Sequence, residues 1–428
     1  MMEGLGFKPY DTYKDSRVDW IGSIPSTWDV QRAKWLFKRM DRPVRPEDDI
    51  VTCFRDGEVT LRNNRRTDGF TTALKEIGYQ GIRKGDLVIH AMDAFAGAIG
   101  VSDSDGKSTP VYSACVPRLP NTVDPTFYAY YMRHLALSGF LVSLAKGIRE
   151  RSTDFRFNDF AELEIPFPSL PEQRAIVAFL NEKCAKADGA VKIKEYQIAL
   201  LRERRQIIIQ DAVTRGLNPA TTMKDSGIDW IGQIPAHWEV KRNKHMFVEI
   251  NQRSAKGTEQ HLSMSQKLGL VPANLVEKSL VSDSYEGAKL VQPGDLVLNR
   301  LKAHLAVFSI AQMEGLVSPD YSVFRPFVNG ASSQYYEALF KTSIFLGEFR
   351  LRVRGIVEGF YRLYTDSFMD IPLLIPPQPE QAEIVAHLDQ LAVKFEAAIS
   401  IKQDQIAAIK EYKTSLINAA VTGKIKVI

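Results

Sequence analysis

Two long segments of the chain repeat the same spacing of apolar side chains. Residues 172–215 contain no proline and a single glycine, Gly189, so this segment favours an uninterrupted helix. Nine of eleven positions spaced alternately three and four residues apart are apolar, and a heptad seam this long predicts a coiled coil. The seam positions are Val177, Leu180, Cys184, Ala187, Val191, Lys194, Ile198, Leu201, Arg205, Ile208 and Ala212.

The seam returns 208 residues later, from Val385 to Ala420, again with nine apolar positions of eleven. Its two charged exceptions fall at matching places, Lys194 with Lys402 and Arg205 with Lys413. One helix with a seam of about 53 Å cannot bury its own apolar stripe. We therefore expect the two helices to pack against each other, antiparallel, with the charged positions setting the register.

The regions before each helix are also copies of one another. Residues 15–30 and 225–240 share the frame D-S-x-x-D-W-I-G-x-I-P-x-x-W-x-V, and a G-D-L-V run at Gly85 returns at Gly294. Both regions are rich in glycine, proline and aromatic residues, with short apolar runs that favour strands in a mixed α/β arrangement. A period near 209 residues indicates a duplicated pair of domains rather than a solenoid.

Together these patterns predict an α+β protein with four segments. Two mixed α/β domains related by pseudo-two-fold symmetry are separated by two long helices, which form an intramolecular antiparallel coiled coil. The predicted segments are a first domain at 1–170, a central helix at 171–216, a second domain at 217–378 and a C-terminal helix at 379–428.

Composition adds limits rather than a function. The 55 Lys and Arg residues exceed the 51 Asp and Glu residues by four, so any nucleic-acid binding depends on local basic patches. No apolar run is long enough for a membrane helix, and the first 13 residues lack the apolar core of a signal peptide. Three scattered cysteines fit a reducing cytoplasm, so we expect a cytoplasmic protein with no bound metal.

The first half holds one mixture of residues suited to reading DNA. Arginine pairs with guanine or phosphate and asparagine pairs with adenine, so the run at 62–66 favours a groove-reading loop, with a solvated hairpin as the alternative. A basic cluster before the last strand of the domain suits phosphate contact. The first-half candidates are Arg55, Arg62, Asn63, Asn64, Arg65, Arg66, Arg149 and Arg151.

The second half carries polar candidates of its own. One group lies in a hydrogen-bonding stretch, another follows the second G-D-L-V run, and a third matches the basic cluster of the first half. Ordinary surface charge is the alternative for each group. The second-half candidates are His261, Ser263, Gln266, Lys267, Arg300, Lys302, His304, Arg352 and Arg354.

The repeated D-W-I-G-x-I-P-x-x-W frame, the G-D-L-V runs and the P-E-Q openings of two helices ending in A-V-T resemble the specificity subunits of type I restriction–modification enzymes. The resemblance covers about residues 10–426. It implies a non-catalytic chain whose two target recognition domains each read one half of a split double-stranded DNA sequence.

The same resemblance implies which partners act on that DNA. Two methyltransferase subunits would dock on the helices and methylate adenine, and restriction subunits would join that core and cleave the DNA. S-adenosylmethionine, ATP and magnesium are expected on those partners, with no cofactor in this chain.

Two other interpretations stay open at this stage. The run DAFAGAIG at 93–100 is similar to the glycine-rich S-adenosylmethionine loop of methyltransferases, although its spacing differs and tight strand–turn packing against small residues is the favoured explanation. A methyltransferase with a degenerate motif is therefore one alternative, and a coiled-coil adaptor for proteins is the other. No Walker loop, clustered nuclease carboxylates or metal-ligand spacing accompanies them, so no catalytic residue is predicted.

Overall fold

The computed structural model describes residues 7–65, 76–144, 154–266, 268–276, 284–327, 332–355 and 361–427. The chain forms two compact units that do not follow the order of the sequence. The first unit contains residues 1–194 and 404–428, and the second contains residues 195–403. Each long helix therefore contributes one half to each unit, and the four-segment division stays a prediction.

The first half of the chain is built from short strands around a four-stranded antiparallel sheet with the order β4-β11-β8-β9. The strands are β1 (Tyr13–Asp15), β2 (Ser23–Pro25), β3 (Asp29–Arg32), β4 (Phe37–Met40), β5 (Val51–Cys53), β6 (Val59–Leu61), β7 (Gln80–Ile82), β8 (Leu87–His90), β9 (Ile99–Val101), β10 (Gly106–Ser108), β11 (Tyr112–Pro117) and β12 (Glu164–Phe167). The short helices are α1 (Ala33–Leu36), α2 (Pro125–Leu137), α3 (Phe140–Leu144) and α4 (Phe157–Glu162).

The central strand β8 is apolar on both faces because both faces are covered. Leu87 and Ile89 join a core that includes α2, whereas Val88 packs with Val51 and Val59 of the β5–β6 hairpin. Successive side chains of a strand point to opposite faces, which explains why an unbroken apolar run forms this strand. The hairpin is thereby held against the sheet.

The second half repeats this arrangement, with the sheet order β16-β23-β20-β21. Its strands are β13 (Met223–Asp225), β14 (Gln233–Pro235), β15 (Glu239–Arg242), β16 (Phe247–Ile250), β17 (Leu262–Ser265), β18 (Gly269–Pro272), β19 (Lys289–Val291), β20 (Leu296–Asn299), β21 (Phe308–Ile310), β22 (Gly315–Val317), β23 (Tyr321–Pro326) and β24 (Pro372–Ile375). The long helix α5 (Leu170–Arg215) precedes them, and the helices α6 (Ser333–Phe340), α7 (Ser343–Arg352), α8 (Thr365–Met369) and α9 (Gln378–Val421) complete the described elements.

The start of one long helix packs on the end of the other in each unit. In the first unit Val177 and Leu180 of α5 share a core with Leu416 and Ala420 of α9. In the second unit Val213, near the end of α5, lies in a core with Ile384 at the start of α9. Antiparallel pairing is therefore confirmed, and with it the predicted fold class.

The repeated P-E-Q motif fastens each long helix to its domain. Glu172 of α5 accepts hydrogen bonds from the Trp28 indole at 2.9 Å and the Tyr10 hydroxyl at 2.6 Å. Glu380 of α9 likewise accepts from the Trp238 indole at 2.9 Å. The repeated tryptophans and the P-E-Q glutamates thus form a hydrogen-bonded joint in each half.

Candidate nucleic-acid interface

A polar cleft of about 700 Å³ opens in the first unit where β8 ends and β11 begins. The β5–β6 hairpin forms its other wall, so the cleft joins residues that are distant in sequence. It is lined by Thr52, Cys53, Phe54, Arg55, Asp56, Arg62, Arg65, His90, Asp93 and Tyr112. Three of the predicted DNA-binding residues, Arg55, Arg62 and Arg65, therefore lie around one cleft.

Arg55 is the most exposed of the three arginines that line this cleft. Its guanidinium pairs with Asp93 at 2.8 Å, while 68% of the side chain stays exposed. Its backbone carbonyl accepts a hydrogen bond at 3.0 Å from Arg133 of α2, which also donates to the carbonyl of Gly97. Arg133 thus fixes the hairpin turn by hydrogen bonds to its backbone and to the neighbouring Gly97, and Arg55 is held at the edge of the cleft.

His90 adds a neutral donor to the cleft wall. Its Nδ1 accepts a hydrogen bond at 3.1 Å from the backbone N–H of Asp93, so the proton of the neutral ring sits on Nε2. Burial lowers the pKa of His90, which favours this neutral form. The ring packs edge-on against Tyr112, with centroids 4.6 Å apart.

The remaining first-half candidates differ in what they touch. The Nε of Arg62 donates to Thr52 at 3.4 Å, and Asn64 donates to Thr60 at 2.8 Å. Asn63 is exposed beside them in the same 3-10 turn. Arg65 lies over the Phe54 ring, 4.2 Å from its centroid. It also pairs with the carboxylates of Asp56 at 2.7 Å and Glu58 at 3.2 Å, so much of its charge is compensated within the hairpin.

The second unit has an equivalent hairpin and strand end with different side chains. Gln266 occupies the turn between β17 and β18, as Arg55 does between β5 and β6. Asn299 ends β20 as His90 ends β8, and its Oδ1 accepts from the backbone N–H of Leu301 at 3.1 Å. Tyr321 begins β23 as Tyr112 begins β11.

Gln266 reaches the 3-10 turn that follows β20, donating to the carbonyl of Leu305 at 3.3 Å. Ser263 is half-buried in β17, and Lys302 is exposed at the start of that 3-10 turn. His261 precedes β17 with its ring 4.2 Å from that of Tyr285, and burial lowers its pKa.

Of the remaining second-half candidates, Arg300 contacts Asp320 directly, and Arg354 is linked to it only through Arg362. Arg300 donates to the Asp320 carbonyl at 2.7 Å, and Arg362 lies 3.5 Å from the carboxylate. Arg354 and Arg362 exchange two backbone hydrogen bonds. His304 packs near Tyr361, and its Nδ1 is buried without a hydrogen-bond partner among the described residues. Arg352 pairs with Glu348 of its own helix at 2.5 Å.

Four candidates lie outside the described residues: Arg66, Arg149, Arg151 and Lys267. The structure adds His90, Asp93 and Tyr112 to the cleft of the first unit, and it places Asn299 and Tyr321 at the equivalent strand ends of the second unit. These were not among the predicted residues, although all lie beside repeated motifs. A residue-by-residue comparison of the two copies at the ends of the G-D-L-V strands would have found them.

The glycine-rich run at 93–100 is explained by close packing. Gly97 takes φ +93° at the end of a 3-10 turn, and a Cβ on Gly100 would lie 1.9 Å from the Gly57 carbonyl oxygen. In the second unit Ala306 takes the equivalent left-handed conformation, at φ 60°. The glycines let the strand after the turn approach the hairpin.

Among the described residues, no group of three or more His, Cys, Asp or Glu side chains is arranged to hold a metal ion. The same part of the chain contains no helix with the length and apolar character needed to span a membrane. The three cysteines are buried and unpaired, and burial raises the pKa of the Cys53 and Cys115 thiols.

Two similar α/β units, each with an equivalent hairpin and sheet and a share of two long helices, define a protein built by internal duplication. The particular relatives are type I restriction enzyme specificity subunits. The chain is 22% identical over 448 aligned residues to a Methanocaldococcus jannaschii protein named for the MjaX specificity subunit, covering 95% of this chain and 96% of that one. It is 23% identical to the EcoKI specificity subunit of Escherichia coli, covering 94% and 90%.

Solved structures show the same fold. A chain from a study of complex assembly and conformational transition in a type I restriction–modification system matches with a TM-score of 0.68 at 15% identity, covering 93% of this chain and 98% of that one. The HsdS subunit from Thermoanaerobacter tengcongensis matches with a TM-score of 0.51 at 16% identity, covering 94% and 98%. No protein-family model matches the chain. The resemblance predicted from the repeated motifs is therefore confirmed.

Proposed function

We propose that this chain is the DNA-binding specificity subunit of a type I restriction–modification system. Each unit reads one half of a split double-stranded target with its own hairpin and strand end. The observation that carries this proposal is this pair of equivalent hairpins and strand ends, which share a backbone arrangement but differ in polar side chains. A shared backbone arrangement with different polar side chains suits the recognition of two different half-sites. A duplicated enzyme would instead need the same catalytic side chains in both copies.

The two kinds of DNA contact fall to different residues. Exposed cations beside these strand ends, such as Lys302, neutralise phosphates and position the duplex. Polar side chains at the cleft walls then read base edges in the major groove, where each base pair presents a distinct pattern of donors and acceptors. Because the hairpin packs on the sheet through buried residues, the side chains that contact the bases keep their positions.

Adenine methylation and DNA cleavage belong to partner subunits in this proposal. S-adenosylmethionine, ATP and magnesium act there, and this chain supplies recognition without catalysis. The second unit offers a surface for such partners, because five apolar residues of its long helices are each at least 44% exposed. These residues are Tyr196, Leu200, Ile207, Val393 and Ile401.

Duplication of the chain implies two modification subunits for each specificity chain. A mass measurement of the assembled complex tests this stoichiometry, and one modification subunit per chain would contradict it.

The central experiment is methylation mapping in cells that carry the complete system, with cells lacking only this chain as the matched control. We expect one methylated motif with two short halves and a fixed unread gap, lost entirely in the control. A continuous motif, or a motif that persists without this chain, would overturn the proposal. Binding of the assembled complex to DNA should also weaken steeply with salt, since phosphate neutralisation releases counterions.

A further inference from the structure

The turn of the recognition hairpin presents one polar side chain at the same position in both units. Phe54 and Glu58 close the first turn through a backbone hydrogen bond of 2.8 Å, and Ser265 pairs with Gly269 across the second. Three residues lie between the paired positions in each case. Arg55 and Gln266 are each the first of those three, so they are structural equivalents.

Both side chains are anchored to the same neighbouring element, the 3-10 turn after the central strand. Arg55 pairs with Asp93 at the start of that turn, and Gln266 donates to the carbonyl of Leu305 within the equivalent turn. An anchor at one atom fixes the direction of the side chain and lowers the entropy lost on binding. Both residues are nevertheless exposed, so the rest of each polar group can meet a ligand.

The hydrogen-bonding groups that Arg55 and Gln266 have left after these contacts differ, and the difference matches them to different bases. The Asp93 contact uses one of the five N–H groups of the Arg55 guanidinium, so a pair of donors remains. Guanine offers two acceptors, N7 and O6, on its major-groove edge. Gln266 keeps its Oε1 acceptor and the second hydrogen of Nε2, which match the N6 donor and N7 acceptor of adenine.

We infer that this turn position determines base specificity, with Arg55 reading a guanine in one half-site and Gln266 reading an adenine in the other. The inference rests on the function proposed above and adds to it the residue and the base. Arg133 is a positioning residue for the first reader, because it holds the backbone carbonyl of Arg55.

The test uses the complex of this chain with its modification subunits, acting on a DNA library randomised over both half-sites. Arg55→Gln should replace a guanine preference by an adenine preference at one position of one half-site. Gln266→Arg should make the opposite change in the other half-site. Loss of a bidentate contact should lower discrimination at that position about tenfold to a hundredfold.

Arg39→Gln is the matched control, because Arg39 is exposed on the edge strand β4 and does not line the cleft. It makes the same chemical change and should leave the motif intact. Arg55→Lys provides a second variant, which keeps the charge but loses the bidentate geometry. It should keep binding while relaxing the choice of base.

The outcomes separate the inference from the proposed function. A split motif that stays unchanged in both turn variants overturns the inference alone. A wild-type complex that methylates without any sequence preference overturns the proposed function as well. A change confined to one base position in the expected half-site supports both.

Discussion

At the scale of single residues, the repeated motifs act through buried polar contacts. Asp86 of the first G-D-L-V run pairs with Arg42, and Asp295 of the second pairs with Arg325 at 2.7 Å. Both aspartates are almost fully buried, and each also accepts a backbone N–H three residues upstream in its own turn. The motif residues therefore hold the frame, whereas the side chains at the hairpin turn and at the end of the central strand differ between the copies.

The joint between Glu172 and Trp28 gives the first residue-scale prediction. Glu172→Ala removes the acceptor of a fully buried indole N–H and of the Tyr10 hydroxyl. Leaving such donors unpaired should lower the free energy of unfolding by about 1–3 kcal/mol. Urea denaturation of the purified chain measures this loss.

Glu172→Gln keeps an acceptor oxygen and should lose less stability than the alanine variant. Glu380→Ala is the matched change in the second unit. An alanine variant of Glu172 as stable as the wild type would show that the joint contributes nothing.

His90 gives a prediction about pH. Burial lowers the pKa of His90 in the folded protein below its unfolded value, about 6.5, so the unfolded chain binds the proton first as pH falls. The stability that depends on neutral His90 is therefore fully present above pH 6.5 and is lost as pH falls through the folded pKa. Thermal unfolding should show a midpoint that drops between pH 7 and pH 5.

His90→Asn should make that drop shallower, because the second unit shows that asparagine keeps the acceptor without titrating. Asn299 accepts a backbone N–H at the equivalent position. An equally steep pH dependence in this variant would contradict the role given to His90.

At the scale of elements, the two long helices were predictable and the short elements less so. The seam predicted helices at 171–216 and 379–428, and the structure places them at Leu170–Arg215 and Gln378–Val421. Local periodicity encodes a long helix directly. Strands of three or four residues carry too little pattern, and α2 in the first domain was not predicted at all.

The candidate site was predictable in part for a related reason. Arg55, Arg62 and Arg65 were identified from residue type alone, and the cleft does bring them together. Their grouping with His90 and Tyr112 in one cleft could not be predicted, because those two residues come from strands far along the chain. The compensation of Arg65 by nearby carboxylates also depends on the fold of the hairpin rather than on spacing.

The charged positions of the helix seam provide a prediction for this scale. Lys413 pairs with Asp188 of the other helix at 2.7 Å in the first unit, and Arg205 pairs with Glu396 at 2.7 Å in the second. Asp188→Lys should place two cations together and destabilise the first unit. Exchanging both charges, Asp188→Lys with Lys413→Asp, should restore most of the loss.

The expected coupling is about 0.2–1 kcal/mol, since both side chains are partly exposed to water. Denaturation curves of the single and double variants measure it, and high salt should reduce it. The same exchange at Arg205 and Glu396 is the matched control in the second unit. A double variant no more stable than Asp188→Lys would mean that the ion pair does not contribute to the stability of the helix pair.

At the scale of the whole molecule, the duplication separates a constant frame from variable readers. The tryptophan–glutamate joints and the buried G-D-L-V aspartates recur in both halves, whereas the hairpin-turn residues and the last residues of the central strands differ. Arg55 stands where Gln266 stands, and His90 stands where Asn299 stands. A change in one set of readers should therefore leave the other set, and the frame, unaffected.

This separation predicts the result of a domain exchange. Replacing residues 15–170 with the equivalent region of a relative should change one half-site of the methylated motif and leave the other intact. Methylation mapping of cells carrying the hybrid chain measures both halves at once. Removing one heptad from each long helix, a rise of about 10 Å, is the contrasting variant, which should alter the tolerated gap but not the bases read. An exchange that altered both half-sites would mean that the two units do not read their half-sites independently.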